Sequence, residues 1–118
     1  NILVSSGWDS TVKIYDIRMQ SQVASIITSK MTGDALDIYG DMIVAGSYQN
    51  TSNMNILSLK HMQLVDTFNF NQGVRDSTAG FLFSSRFSAD GNFLIAGGAG
   101  KNQVKVFSND SDTSKSYQ

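Results

Sequence analysis

Three observations predict an all-β fold of short antiparallel strands. Apolar and β-branched runs are brief, and the breaks between them, polar or glycine-containing, recur roughly every 8–12 residues. The 118 residues include ten glycines and no proline, so no strand is barred from the middle of a sheet on that ground. The strand pattern also returns at fixed shifts along the chain, which marks an internal repeat.

The repeat is legible residue by residue. Moved by 42 positions, Val12 falls on Met54, Ile14 on Ile56, Tyr15 on Leu57 and Val23 on Val65. Moved by 92, Val12 meets Val104, Ile14 meets Val106, Tyr15 meets Phe107 and Asp16 meets Ser108. The strands just before these align as well: Leu3-Val4-Ser5-Ser6-Gly7, Ile43-Val44-Ala45-Gly46-Ser47 and Leu94-Ile95-Ala96-Gly97-Gly98. The first unit is predicted to hold three strands, from near Ile2, over Thr11–Ile17 and over Gln22–Thr28. The second holds four, near Asp34–Tyr39, Met42–Ser47, Asn53–Leu59 and Gln63–Phe70. The third holds strands near Phe81–Phe87, Phe93–Gly98 and Gln103–Phe107. Its corner, Phe87-Ser88-Ala89-Asp90-Gly91, carries the polar side chain and free φ that a hairpin turn needs. Two loops, Ser47–Asn53 and Asn71–Gly80 (with Arg75 and Asp76), are longer than the repeat requires.

A period of about 40–50 residues with four short strands fits one blade of a propeller. The opening segment, LVSSGWDSTVKIYDIR from Leu3 to Arg18, adds detail: an apolar run, a polar corner at Trp8-Asp9-Ser10, then a β-branched strand to Asp16. These residues resemble the second half of a WD repeat, the four-stranded blade of the WD40 propeller family. Tyr15-Asp16 stands where that family closes its third strand with Trp-Asp, and Phe87–Gly91 resembles its Phe-Ser-Pro-Asp-Gly turn with Ala89 for proline. The resemblance implies a partial propeller over residues 1–108, with blades at about 1–30, 31–72 and 73–108, then a polar tail at 109–118. Ten strands do not close a ring of four to eight blades. The third unit, stopping after its third strand, reads as a last blade awaiting a partner strand, and the chain as the C-terminal portion of something longer.

In that family a turn aspartate, a histidine, a serine or threonine and the tryptophan form a hydrogen-bonded set. The resemblance assigns Ser6 (or Ser5), Asp9 and Tyr15 to it, with Tyr15 offering a hydroxyl for the indole. Gln49 and Gly100 stand at the aspartate position of the other two units, which depart from the pattern.

Composition narrows the function classes. Nine basic and ten acidic side chains give a formal charge of −1, with no electrostatic reason to expect nucleic acid or an anionic membrane. There is no cysteine, hence no disulfide framework and no thiolate metal site, and an intracellular setting, cytoplasmic or nuclear, is expected. His61 is the only histidine and reads as an exposed turn residue. Gly97-Gly98-Ala99-Gly100-Lys101 lacks the spacing and the hydroxyl residue of a phosphate loop. Asp34, Asp37 and Asp41 read as loop and strand-end acids, since neighbouring strand positions alternate faces. No catalytic residue, metal or cofactor is expected. Trp8, at a hairpin corner, either packs on the next unit or anchors an interface.

The same sixteen residues fit a pattern found in substrate receptors of cullin-4 ubiquitin ligases, ending Ile14-Tyr15-Asp16-Ile17-Arg18. That resemblance makes Asp16 and Arg18 candidate adaptor-contact residues. The expected function is a non-catalytic protein-interaction scaffold whose partners are other proteins and the remaining blades. The alternatives are a cullin-4 receptor and an enzymatic propeller whose catalytic residues lie elsewhere. Equivalence of the three units further predicts that Tyr15, Leu57 and Phe107 are buried between neighbouring sheets.

Overall fold

The computed structural model describes residues 1–49, 52–70, 81–99, 103–108 and 116–117. These residues form strands and turns and no helix. In chain order the strands are β1 (Ile2–Ser6), β2 (Thr11–Asp16), β3 (Ser21–Ile27), β4 (Met31–Tyr39), β5 (Met42–Ser47), β6 (Met54–Ser58), β7 (Gln63–Phe68), β8 (Leu82–Phe87), β9 (Phe93–Gly98), β10 (Gln103–Ser108) and β11 (Ser116–Tyr117). Among the described residues no helix is long and apolar enough to cross a membrane. The predicted 71–80 loop, with Arg75 and Asp76, lies outside the described residues, as do Gly100 and Lys101.

Each strand pairs antiparallel with its sequence neighbour in three meanders, β1-β2-β3, β4-β5-β6-β7 and β8-β9-β10-β11. The predicted strands are all present, β5 and β9 with the predicted bounds. Two features differ from the sequence reading. Part of the segment expected to be a polar tail forms β11, whose Tyr117 and Ser116 pair with Val106 and Phe107, so the third meander does not stop at its third strand. Backbone pairing is indifferent to side-chain polarity, which is why composition did not reveal it. In addition β4 and β8 run parallel and meet at Asp34 and Ser84, fusing the second and third meanders into one eight-stranded sheet.

The 42-residue repeat is written into the backbone as well as the side chains. The β2–β3 ladder breaks register between Ile14 and Tyr15, where Ile14 faces Ala24 and Tyr15 faces Gln22. The β6–β7 ladder breaks between Ile56 and Leu57, where Ile56 faces Asp66 and Leu57 faces Leu64. Each bulge skips one valine, Val23 in the first case and Val65 in the second, as the repeat demands. Left-handed residues recur at the same interval: Ser10 (φ 63°) and Ser52 (φ 51°), then Gln20 (φ 52°) and Met62 (φ 52°). A non-glycine residue pays about 1 kcal/mol for that conformation, so its return at equivalent turns reflects a shared geometry.

Strand alternation then sorts the side chains into two faces per meander. One face of the first meander, Val4, Val12, Ile14, Ala24 and Ile26, packs on Ile43, Ala45 and Leu57 of the second. The opposite face of the second, Val44, Met54, Ile56 and Phe68, packs on Leu94, Ala96 and Phe107 of the third. The expected equivalence therefore holds for Leu57 and Phe107, both buried. Tyr15 is only partly covered, because among the described residues no sheet packs on its face of the first meander.

The turns are built by local acceptors. At the predicted Phe87–Gly91 corner, the Ser88 hydroxyl donates to Asp90 Oδ1 at 2.6 Å, the Asn92 amide donates to the same oxygen at 3.0 Å, and Phe93 N–H donates to Ser88 Oγ at 3.0 Å. Those hydrogen bonds, Ser88 first, hold the Asp90 carboxyl below its ordinary pKa. Asp37 and Asp41, read from sequence as solvated acids, instead serve as acceptors. Asp37 Oδ2 takes the Phe87 N–H at 2.8 Å and Oδ1 lies 3.9 Å from Arg86 Nη1, tying β4 to β8. Asp41 accepts from the Ser58 hydroxyl at 2.7 Å and from the Lys60 N–H, closing the β6–β7 turn. His61, exposed in that turn as predicted, donates its N–H to Ser58 Oγ at 3.1 Å.

Gly91 has φ 74°, and a Cβ there would stand 2.0 Å from the Tyr39 ring, whereas Gly40, at φ 57°, has open space around it. Gly40→Ala should cost about 1 kcal/mol for the backbone alone. Gly91→Ala should cost about 2 kcal/mol or more, because a ring must also move. Denaturant melts of the two variants giving equal losses would contradict this account of the corner.

Candidate functional site

The sequence-predicted residues gather at two ends of the β1–β2 hairpin. At the β1–β2 corner, Asp9 Oδ1 accepts from the Thr11 N–H at 3.2 Å and the Thr11 hydroxyl at 2.9 Å, and Oδ2 pairs with Lys13 Nζ at 3.1 Å. Asp9 thus bonds Thr11 and Lys13, its near neighbours on β2. The reason is local: Thr11 and Lys13 follow on the same face of β2, within direct reach of the turn carboxylate. The Lys13 ammonium and then the Thr11 hydroxyl hold the Asp9 carboxyl below its ordinary value of 3.8, and Asp9 raises Lys13 in return. Ser5, Ser6, Gly7, Trp8, Asp9, Thr11 and Lys13 line an open hollow of about 290 Å³.

At the opposite end of β2, Asp16 Oδ1 accepts the N–H groups of Arg18 at 2.9 Å and Met19 at 3.2 Å, so this carboxylate caps the β2–β3 turn. The Arg18 guanidinium folds back on the chain start. With the Asn1 carboxamide oxygen turned toward it, Arg18 donates through Nη2 at 2.8 Å and Nε at 2.9 Å.

Trp8 packs on the second meander and stays exposed. Its ring centroid lies 6.1 Å from that of Tyr48 in the second meander, yet the residue remains 67% exposed. Tyr48 in turn stacks on Phe81 at 3.8 Å, 11° from parallel, and lies 6.2 Å from Phe83. Trp8, Tyr48, Phe81 and Phe83 thus form an aromatic surface reaching across all three meanders. Tyr48 is seated by its own N–H, which donates to Lys30 C=O at 2.9 Å. Sequence reasoning singled out Trp8 and missed the other three. A signal was present, since the alignment of Gly7 with Ser47 puts Tyr48 at the position of Trp8.

Chemically the surface offers broad, largely pre-positioned apolar contact beside the Asp9–Lys13 pair. Among the described residues no group of three or more histidine, cysteine or acidic side chains is placed to hold a metal. No protein-family model and no curated protein matches the chain.

The turn carboxylates carry a pH signature. Asp9, Asp41 and Asp90 all have depressed folded-state values. Each contributes stability that is present above the ordinary carboxylate pKa of about 4 and is lost as pH falls through the lower folded value. Asp41→Asn should therefore flatten the acid limb of a stability–pH curve, with the wild type and variant converging at the lowest pH. An acid limb unchanged by the substitution would show that the Ser58 and Lys60 contacts are not what depresses Asp41.

Proposed function

We propose that this chain is a non-catalytic protein-interaction scaffold whose three meanders are blades of a WD40-type propeller within a larger assembly. The observation that carries the functional half is the Trp8–Tyr48–Phe81–Phe83 surface: three rings left exposed, with half-buried Phe81 stacked on Tyr48, on a framework of stacked sheets. Aromatic side chains offer contact area at low entropic cost and dominate interface energetics, while a loop on a fixed sheet holds its geometry between encounters. The fold half is supported by repeated four-strand meanders, equivalent bulges and left-handed residues, and the Trp8-Asp9 corner.

A cullin-4 receptor reading rests on Arg18. With the Asn1 amide turned toward it, that side chain engages Asn1 through Nε and Nη2, and Asp16 is occupied in capping the turn, which favours the plain scaffold. Arg18→Ala should accordingly leave capture of the cullin-4 adaptor unchanged from wild type in a pull-down of the full chain; adaptor captured by wild type and lost in the variant reinstates the receptor.

For the aromatic surface, Trp8→Ser should change folding stability by less than about 1 kcal/mol, since two-thirds of the residue is exposed. Truncation of an interface anchor should cost partner affinity about 2 kcal/mol or more. The check is quantitative affinity capture of the full chain with wild type and Trp8→Ser in parallel, alongside thermal melts. A partner profile identical for the two proteins would remove the surface from consideration.

A further inference from the structure

The aromatic surface is selective in what it leaves free to bond. Four rings stand together, with Tyr48 38% exposed, Phe83 48% and Trp8 more than either. The backbone carbonyls around them are already in use. Gly7 C=O accepts from Ser10 N–H at 3.4 Å and Met31 N–H at 3.3 Å, Lys30 C=O from Tyr48 N–H at 2.9 Å and Phe81 C=O from Ala99 N–H at 2.8 Å. The carboxylate of the Trp8 corner, Asp9, is engaged by Thr11 and Lys13. Among the described residues, by contrast, the Trp8 indole N–H and the Tyr48 hydroxyl meet no acceptor. The surface therefore combines bare ring faces with unused donors and engaged acceptors.

That combination discriminates among extended partners. An ordinary peptide segment laid across the rings brings an N–H at every residue, and an N–H withdrawn from water without an acceptor is costly. Prolyl residues bring a carbonyl and no N–H. A run of them is held in the polyproline II conformation, with rings and carbonyls turned outward and little chain entropy left to lose on docking. Spacing agrees: that helix rises about 3.1 Å per residue, and the centroid steps Trp8–Tyr48 and Tyr48–Phe83 are 6.1 and 6.2 Å, about two residues each. Stacking of Phe81 on Tyr48 fixes the central ring before a partner arrives. The 118 residues contain no proline, so neither they nor a second copy of them supply such a segment.

We propose that the Trp8–Tyr48–Phe81–Phe83 surface docks a proline-rich segment of another protein, its prolines lying on the rings and its carbonyls accepting from Trp8 Nε1 and the Tyr48 hydroxyl. The proposal rests on the reading of this surface as a protein-contact site and names its occupant.

Trp8 is the chain's single tryptophan, so its emission reports this surface alone. The test titrates the full chain with a deca-proline peptide, and separately with a glycine–serine peptide of equal length, while Trp8 fluorescence is followed. Deca-proline should produce a saturable change that the glycine–serine peptide does not. Tyr48→Phe keeps the ring and removes the donor, and should weaken deca-proline binding about three- to tenfold. Phe83→Ala should weaken it about tenfold or more, with circular dichroism melts showing that both variants fold. No saturable change with deca-proline, an equal response to the glycine–serine peptide, or an affinity untouched by Tyr48→Phe would each overturn the proposal. A capture profile altered by Trp8→Ser while deca-proline goes unbound would leave the surface an interface and remove its prolyl occupant.

Discussion

The structure depends on one constraint: a sheet of short strands with two apolar faces must have both covered. In the second meander this is met in full, with Ile43, Ala45 and Leu57 on one side and Val44, Met54 and Ile56 on the other. Adjacent residues of β5 and of β6 therefore enter different cores. A slip of one residue in either ladder would exchange the two sets, so register carries as much weight as hydrophobicity. The left-handed residues at the β1–β2, β2–β3, β5–β6 and β6–β7 connections, and the bulges within the last strand of the first two meanders, hold that register.

Polar groups at the strand ends serve the same end. Asp16, Asp41 and Asp90 each gather neighbouring donors at a turn, and Asp37 carries one bond from β4 to the end of β8, fifty residues away in sequence. Asn53 and Asn55, buried in the middle of the second meander, accept from Phe70 N–H at 2.7 Å and donate to Ala45 C=O at 3.1 Å respectively. Satisfying backbone groups from the side is what allows short strands to end inside a packed stack. The aromatic surface is then a by-product of regularity: equivalent corners place Trp8 and Tyr48 on neighbouring meanders, and stacking brings Phe81 beneath the second ring.

Much of this was legible in sequence, and for identifiable reasons. The β-branched alternation of Val12, Ile14 and their equivalents fixed strand type and repeat length, and Ser88-Ala89-Asp90-Gly91 announced its turn through residues whose chemistry is local. What escaped were features decided by distant partners. The parallel meeting of Asp34 and Ser84 depends on how two meanders are oriented, which no strand pattern encodes. β11 escaped because a polar segment pairs through its backbone. At the candidate site Trp8 was visible as an exposed corner residue, while Phe81 and Phe83 looked like ordinary strand residues until stacking placed them beside Tyr48. The aspartate of the corner was legible as a turn residue, and its bonds to Thr11 and Lys13 are made within the next four residues of the chain.

The seam between β4 and β8 divides the molecule mechanically. The second and third meanders are joined by backbone pairing of β4 with β8 at Asp34 and Ser84, whereas the first is joined to them by side-chain packing and by a bond from Met31 N–H to Gly7 C=O at 3.3 Å. Packing yields to shear and to brief openings more readily than a ladder does. The first meander is thus the separable foldon, its amides exchanging with solvent ahead of those in β5 and β9, and it is the part that a pulling force or a chaperone would peel away while the eight-stranded remainder stays whole.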